Sequence, residues 1–151
     1  MPTNILRKTG KSSSEAAGAR APAGVAREIL IRAGRVAIMA RLADTPTAAR
    51  IWAALPLHST AETWGESLHF EVPVPSGRER GARINGVAGE IYFWAEDARV
   101  LIVYGQTPIS RRGEMRLPRP CNLLATTDDD ITALRAVTPG EKVAVLRARQ
   151  G

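Results

Sequence analysis

Alternation of apolar and polar residues with a period of two dominates the chain after residue 26. The stretches "REILIR" (27–32) and "RVAIMARL" (35–42) both alternate, and Ala33-Gly34 separates them, which predicts a β-hairpin. Further strand-length apolar runs lie between Gly, Pro or Asp breaks, in "ETWGESLHFEVPV" (62–74), "GEIYFWAED" (89–97), "RVLIVYG" (99–105), "CNLLATT" (121–127) and "EKVAVLRA" (141–148). The pattern predicts about seven strands.

Helical periodicity is confined to two short segments. In "DTPTAARIWAALPLHS" (44–59), Thr45 is a suitable N-cap and Pro46 a suitable first helical residue. Pro56 then ends the helix after about nine or ten residues. The segment "DDDITALRAV" (128–137) favours one more helical turn, because its acidic start suits a helix N-terminus. With so few helices, the strands cannot be joined as parallel βαβ units. The fold class we predict is mainly β, a small closed antiparallel barrel with one or two short helices.

The first 26 residues differ in composition from the rest of the chain. The segment "GKSSSEAAGARAPAGVA" (10–26) is rich in Gly, Ser, Ala and Pro and has no hydrophobic periodicity. Such a segment buries too little apolar surface to offset the entropy lost on ordering. We therefore predict a flexible N-terminal tail at 1–26 and one barrel domain at 27–151.

Charge and hydropathy narrow the range of partners. Residues 1–26 contribute +3 of the formal net charge of +6, from four basic residues and one acidic residue. A basic cluster in the body lacks the interleaved aromatics of a single-strand binder, so we expect no nucleic acid partner; it consists of Arg111, Arg112, Arg116 and Arg119. A solvated loop and an anion-binding rim both fit this cluster. No apolar run has the roughly 18–20 residues of a membrane span, so we expect no membrane association.

Cysteine and histidine usage argues against a metal centre. Cys121 is the only cysteine, which excludes an internal disulfide, and no metal-type Cys/His spacing occurs. We predict that Cys121 is a small buried side chain. His58 and His69 are the only histidines. We expect no metal, no cofactor and a cytoplasmic location.

Three segments, in order, resemble the prokaryotic cyclophilin-like family of unknown function. They are "TWGE" (63–66), "GEIYFW" (89–94) and "YGQTPIS" (104–110). The resemblance covers about residues 27–148, leaves the tail outside, and implies a barrel similar to that of cyclophilin. It implies no particular activity, because the family itself has no established one.

The prolyl isomerase chemistry of cyclophilins is not matched. Cyclophilins place an arginine in a Phe-His-Arg-Val type strand as an electrostatic donor. Here Glu71, an acid, follows His69-Phe70. Arg78, Arg80 and Arg83 come later, in a segment where no pattern holds them in place. The sequence therefore leans away from an enzyme, and we assign no catalytic residues.

A polar loop after a strand and several aromatic side chains are the candidates for ligand binding. The aromatic residues either pack in the barrel or line a pocket, and "YGQTPIS" is either a turn or the rim of a ligand site. Glu66 and Glu90 alternate with apolar neighbours and are expected to face water. The candidate ligand-binding residues are Trp64, Glu66, Tyr92, Trp94, Tyr104 and Gln106.

These residues suggest binding of a small molecule or short peptide in a surface groove without catalysis. Two alternatives stay open. One is a peptidyl-prolyl isomerase, and the other is a protein-interaction module that uses a strand edge or the loop at 111–119.

Deletion of residues 1–26 tests the predicted tail. We expect the melting temperature to change by less than about 2 °C, since about 1 kcal/mol shifts a domain of this size by a few degrees. Differential scanning calorimetry of the full and shortened chains measures the change. A larger loss of stability would mean that the segment packs on the barrel.

Overall fold

The computed structural model describes residues 27–148, which form one antiparallel β-sheet structure with two short helices. The predicted tail at 1–26 lies outside the described residues. The strands are β1 (Glu28–Ala33), β2 (Val36–Leu42), β3 (Leu57–Thr60), β4 (Glu62–Thr63), β5 (Ser67–Glu71), β6 (Arg83–Asn85), β7 (Glu90–Trp94), β8 (Arg99–Val103), β9 (Arg116–Thr126) and β10 (Lys142–Arg147). Helix α1 spans Pro46–Ala54, and a 3-10 helix spans Ile131–Ala136. The predicted mainly-β class is confirmed.

The strands follow one continuous path around a nearly closed barrel. Their order is β3-β10-β1-β2-β9-β7-β8-β5-β4, with β6 paired to β9 beside this path. All of these pairings are antiparallel. The two end strands, β3 and β4, are consecutive in the chain and only Ala61 separates them. One extended segment therefore forms both ends of the sheet.

The main core fills the inner face of the barrel. Alternate residues of each strand point inward, as in Ile29 and Ile31 of β1 or Leu68 and Phe70 of β5. Helix α1 adds Ile51 to this core, and the 3-10 helix adds Ile131 and Leu134. The apolar residues of the alternating pattern in the sequence therefore face the core, and the polar residues between them lie on the outer face of the barrel.

Strands β7 and β8 are buried on both faces. Their outward residues Tyr92, Leu101 and Val103 form a second apolar cluster with Leu117 and Cys121 of β9. Cys121 is fully buried, as predicted. Because the first half of β9 covers the outer face of these strands, their sequences are nearly continuous apolar runs.

The chain forms more strands than the alternation of apolar and polar residues predicted. Residues 27–148 contain ten strands, and the run at 62–74 contains both β4 and β5, separated by a turn at Gly65. Strand β6 lies in a segment with no strand pattern, and β9 begins at Arg116, five residues before the predicted run at 121. These segments become strands because partner strands lie beside them, which local alternation does not report.

The N-terminus of α1 is capped by Thr45, which directly precedes the helix, and by Glu79, which is distant in the sequence. Thr45 accepts a hydrogen bond from the Ala48 N–H at 3.2 Å, as predicted for an N-cap. The carboxylate of Glu79 accepts the Thr47 N–H at 2.9 Å and the Thr47 hydroxyl at 2.5 Å. An acid at this end of a helix also complements its dipole. Glu79 thereby fixes its own loop to α1.

Asn122, fully buried on β9, completes this polar network. Its side-chain amide donates to the Thr47 hydroxyl at 3.0 Å and to the Gly77 carbonyl at 2.9 Å. Its amide oxygen accepts the Glu79 N–H at 2.7 Å. Asn122 and Thr47 are buried with their hydrogen-bond partners in place, which is how polar groups are tolerated in an interior.

No helix among residues 27–148 is long and apolar enough to cross a membrane.

The variant Asn122→Ala should lower the free energy of unfolding by about 1–3 kcal/mol, because it removes three hydrogen bonds, one of them to the buried Thr47 hydroxyl. Urea denaturation followed by tryptophan fluorescence measures this loss. The matched control is Asn85→Ala, an exposed position on β6, which should change the same free energy by less than about 0.5 kcal/mol. Equal effects of the two variants would contradict a structural role for the network.

Candidate functional site

A pocket of about 330 Å³ opens on the outer face of β5, β7 and β8. Residues opposite each other on antiparallel strands share a face. The pairings Glu62↔His69 and His69↔Leu101 therefore place these three side chains in one row across the sheet. The residues that line the pocket are Glu62, Trp64, His69, Trp94, Asp97, Arg99, Leu101 and Pro118.

Arg99 organises the polar side of the pocket. One of its terminal nitrogens donates to a Glu62 carboxylate oxygen at 2.8 Å and lies 3.3 Å from His69 Nδ1. Its Nε lies 3.5 Å from an Asp97 carboxylate oxygen. An arginine only donates hydrogen bonds, so His69 Nδ1 is an acceptor and the imidazole proton lies on Nε2. Arg99 thus selects one tautomer of His69.

Burial and charge keep His69 neutral at pH 7. Desolvation lowers the pKa of His69, and the neighbouring Arg99 charge lowers it further. The hydrogen bond from Arg99 also lowers the pKa of Glu62. The pocket therefore combines a neutral imidazole, two ionised carboxylates and one guanidinium.

Trp64 and Trp94 supply the aromatic surface of the pocket. Trp94 stands edge-to-face with His69, with ring centroids 6.5 Å apart. Its indole N–H is buried and has no hydrogen-bond partner among the described residues. Trp64 is positioned by the turn between β4 and β5, where the Ser67 hydroxyl donates to the Trp64 carbonyl at 2.6 Å.

Glu66, Tyr104 and Gln106 lie together elsewhere, beside the 3-10 helix. One Glu66 carboxylate oxygen accepts the Gln106 N–H at 2.8 Å, and the other lies 2.9 Å from an Arg135 nitrogen. The Arg135 guanidinium stacks over the Tyr104 ring at 5.8 Å. Glu66 lies in a turn and not on a strand. Its carboxylate is engaged in anchoring the loop rather than simply facing water.

The hydroxyl groups of "YGQTPIS" tie this loop to the start of β9. Thr107 donates to the Arg116 carbonyl at 2.6 Å, and Ser110 accepts the Arg116 N–H at 2.9 Å. Gly65 has a φ of +61°, and a Cβ there would lie 2.7 Å from Pro108. A glycine inside a strand-like run is typical of such a close backbone approach. The contacts give the loop an architectural role.

Tyr92 does not line the pocket and is fully buried in the second apolar cluster. Its hydroxyl donates to Glu90 at 2.6 Å and accepts the Val87 N–H at 2.8 Å. Burial, followed by the hydrogen bond to Glu90, raises the pKa of Tyr92. Glu90 was expected to face water, but only 17 % of its side chain is exposed. The reason is that Glu90 binds both Tyr92 and Arg83, the latter at 2.6 Å.

The structure brings only two of the six candidate residues, Trp64 and Trp94, into the pocket. Four polar lining residues were not among the candidates, namely Glu62, His69, Asp97 and Arg99. The sequence offers one signal for these residues, which is that His69 is a polar residue between two core residues of a strand. This signal does not show which strand lies beside His69, so it does not identify the other lining residues. Among residues 27–148, no group of three or more His, Cys, Asp or Glu side chains is placed to hold a metal ion.

The fold and pocket define a small antiparallel barrel protein with a pocket on its outer wall. The sequence profile of the Cyclophilin-like family matches residues 27–146, and the chain belongs to this family. It is similar to the hypothetical protein AF2241 from Archaeoglobus fulgidus, whose solution structure gives a TM-score of 0.74 at 27 % identity, over 85 % of this chain and 100 % of that one. The predicted resemblance to a prokaryotic cyclophilin-like protein of unknown function is confirmed.

A second solved structure, of McbB in complex with tryptophan, is similar in fold alone. Its TM-score is 0.61 at 18 % identity, over 82 % of this chain and 45 % of McbB. No curated protein matches the chain.

The neutral state of His69 predicts a pH dependence of stability. Between its lowered pKa in the folded chain and its usual value of 6.5, the unfolded chain binds more protons, so stability falls as pH decreases through this range. Melting temperatures measured from pH 7 to pH 5 should fall less in His69→Gln than in the parent protein. The control is His58→Gln, an exposed position on β3, which should keep the parent slope. Equal slopes for His69→Gln and the parent would contradict the prediction.

Proposed function

We propose that this protein binds a small molecule non-covalently in the pocket formed by Trp64, Trp94 and the polar group around Arg99. The observation that carries the proposal is the lining of the pocket, where two indole rings lie beside a polar group that Arg99 holds together through Glu62 and Asp97. Ligand sites in proteins typically combine an apolar, often aromatic, surface with a small number of fixed polar groups.

The size and lining of the pocket support a small molecule over a peptide. About 330 Å³ lies at the lower end of the range of ligand pockets. Two indole rings, Leu101 and Pro118 form the apolar surface, and a few polar groups provide orientation. This mixture is the usual composition of a small-molecule site.

Binding without catalysis is the second part of the proposal. Prolyl isomerisation needs a cation directed at the substrate. Arg78 and Arg83 are each paired with an acid, Glu96 and Glu90 respectively, both at 2.6 Å. Arg99 does lie in the pocket, but its guanidinium is engaged by protein acceptors. These pairings favour a binding protein over the isomerase alternative.

The protein-interaction alternative has weaker support. The predicted loop at 111–119 is a loop only up to residue 115, because β9 begins at Arg116. In it the Glu114 carboxylate lies 3.5 Å from Arg116 Nε and accepts the Arg111 N–H at 3.0 Å. These bonds hold the loop within the molecule and partly neutralise it. The cytoplasm stays our proposed location, and the proposal includes no nucleic acid, membrane or cofactor.

A fragment screen by thermal shift tests the proposed function. A ligand that binds only the folded chain raises its melting temperature, by the equivalent of about 2.7 kcal/mol at 100 times Kd. Hits from the screen should bind Trp64→Ala at least about ten-fold more weakly, the equivalent of about 1.4 kcal/mol. Isothermal titration calorimetry measures the two affinities.

The matched control is the double variant Tyr104→Ala, Gln106→Ala, which changes two candidate residues that lie beside the 3-10 helix. Because these residues lie outside the pocket, hits should bind this variant as they bind the parent. Loss of affinity in this control with none in Trp64→Ala would move the site to the loop. A screen without hits in the pocket would contradict the proposal.

A further inference from the structure

We infer that the ligand of this pocket is a small organic cation. The inference rests on the proposed function and adds the chemical class of the ligand. Three observations carry it, namely the excess of carboxylates around Arg99, the greater exposure of these acids than of the arginine, and the two indole rings in the lining.

Carboxylates outnumber cations on this face of the sheet. Glu62 and Asp97 line the pocket together with the single guanidinium of Arg99. Glu71 lies opposite Arg99 in the pairing of β5 with β8, and residues paired in this way share a face. Burial alone would lower the pKa of Arg99, but the hydrogen bond with Glu62 and the charges of all three acids raise it. Because His69 is neutral, three carboxylates face one guanidinium.

The neighbouring charges do not cancel this excess. Arg78 and Arg119 both act on the carboxylate of Glu96, and none of these three residues lines the pocket. Together they add one positive charge beside the pocket, whereas the acids around Arg99 exceed it by two negative charges. The balance therefore stays negative.

The acids are more accessible to a ligand than the arginine is. The side chains of Glu62 and Asp97 are 52 % and 54 % exposed, whereas that of Arg99 is 18 % exposed. Arg99 donates to one Glu62 oxygen at 2.8 Å, and its Nε lies 3.5 Å from an Asp97 oxygen. A carboxylate accepts up to about four hydrogen bonds, so these contacts leave both acids able to hold a second cation. The exposed charge of the pocket is therefore mainly negative.

Trp64 and Trp94 provide a second attraction for a cation. Both side chains are partly exposed and line the pocket. The face of an indole carries negative potential and attracts cations more strongly than other aromatic side chains do. Water and salt weaken the attraction to exposed acids, but a cation held against an indole is partly shielded from both. Leu101 and Pro118 also line the space, so apolar groups around the charge of the ligand would gain contacts.

The same surroundings disfavour the other charge classes. An anion would be repelled by two exposed acids, and the guanidinium that could attract it already lies against both of them. A neutral molecule of the same shape would keep the apolar contacts but lose the attraction to the acids and to the indole faces.

Three probes of similar shape separate the charge classes. They are choline, a cation, 3,3-dimethylbutan-1-ol, in which carbon replaces the charged nitrogen, and 3,3-dimethylbutanoate, an anion. The readout is the indole N–H signal of each tryptophan in 15N-labelled protein. Trp52, which is contacted by Arg27 and Arg147 and does not line the pocket, is the internal control. Choline should shift the signals of Trp64 and Trp94, leave that of Trp52 unchanged, and bind at least about five-fold more tightly than the alcohol. The anion should bind most weakly.

The variant Asp97→Asn keeps the size of the side chain and removes one negative charge. It should weaken choline binding several-fold and leave binding of the alcohol unchanged, because this charge attracts only the cation. The matched control is Asp128→Asn, which removes an exposed acid that pairs with Arg41 at 3.2 Å and does not line the pocket. This control should bind choline as the parent does.

A salt series on the parent protein gives a measurement that needs no variant. Raising the sodium chloride concentration from about 0.05 M to about 0.5 M should weaken choline binding and leave the alcohol unaffected, since salt screens exposed charges. The probe comparison and the salt series stand even if Asp97→Asn fails to fold.

The outcomes separate the inference from the proposed function. Tighter binding of the alcohol or the anion than of choline would overturn the inferred class and leave pocket binding intact. An equal loss of choline and alcohol binding in a folded Asp97→Asn would also overturn it, because the acid would then act through the shape of the pocket. If choline shifts neither Trp64 nor Trp94 while a fragment from the screen does, the inference fails alone. If nothing shifts either signal, the proposed function fails and the inference with it.

Discussion

Closure of the barrel depends on Ala61, which joins the two end strands of the sheet, β3 and β4, in one continuous segment and is bonded to the turn before β10. The Ala61 N–H donates to the Glu141 carbonyl, and the Ala61 carbonyl accepts the Gly140 N–H, both at 2.8 Å. At this buried residue the chain changes from the partner of β10 to the partner of β5. Glu62 and Trp64 follow at once, so the closure also brings two residues to the pocket. Barrel geometry and site geometry therefore share one constraint.

The pocket exists because β7 and β8 are covered on both faces. Their inner residues belong to the barrel core, and their outer residues support the first half of β9. This cover extends to Pro118, while β5 continues beyond it with His69 on the same face. Pro118 therefore lines the pocket from the β9 side, and Trp64, Trp94 and the Arg99 group line it from the sheet.

Polar residues of similar appearance serve different purposes in this fold. Glu66 and Asn122 form hydrogen bonds that join segments far apart along the chain. Tyr92 forms a hydrogen bond with Glu90 on its own strand. The indole N–H of Trp94 is instead buried without a partner among the described residues. Which polar groups find partners depends on the tertiary structure and is not visible in a list of residue types.

Local chemistry along the chain was sufficient to predict the mainly-β class, the cap of α1 at Thr45, the burial of Cys121 and the cyclophilin-like resemblance. Period-two alternation and capping act over a few residues, so one sequence reports them. The number of strands, the division of the run at 62–74 and the membership of the pocket were decided by tertiary structure. Arg99 reaches Glu62 across 37 positions of the chain. Contacts of this kind depend on strand order and register, which local periodicity does not encode.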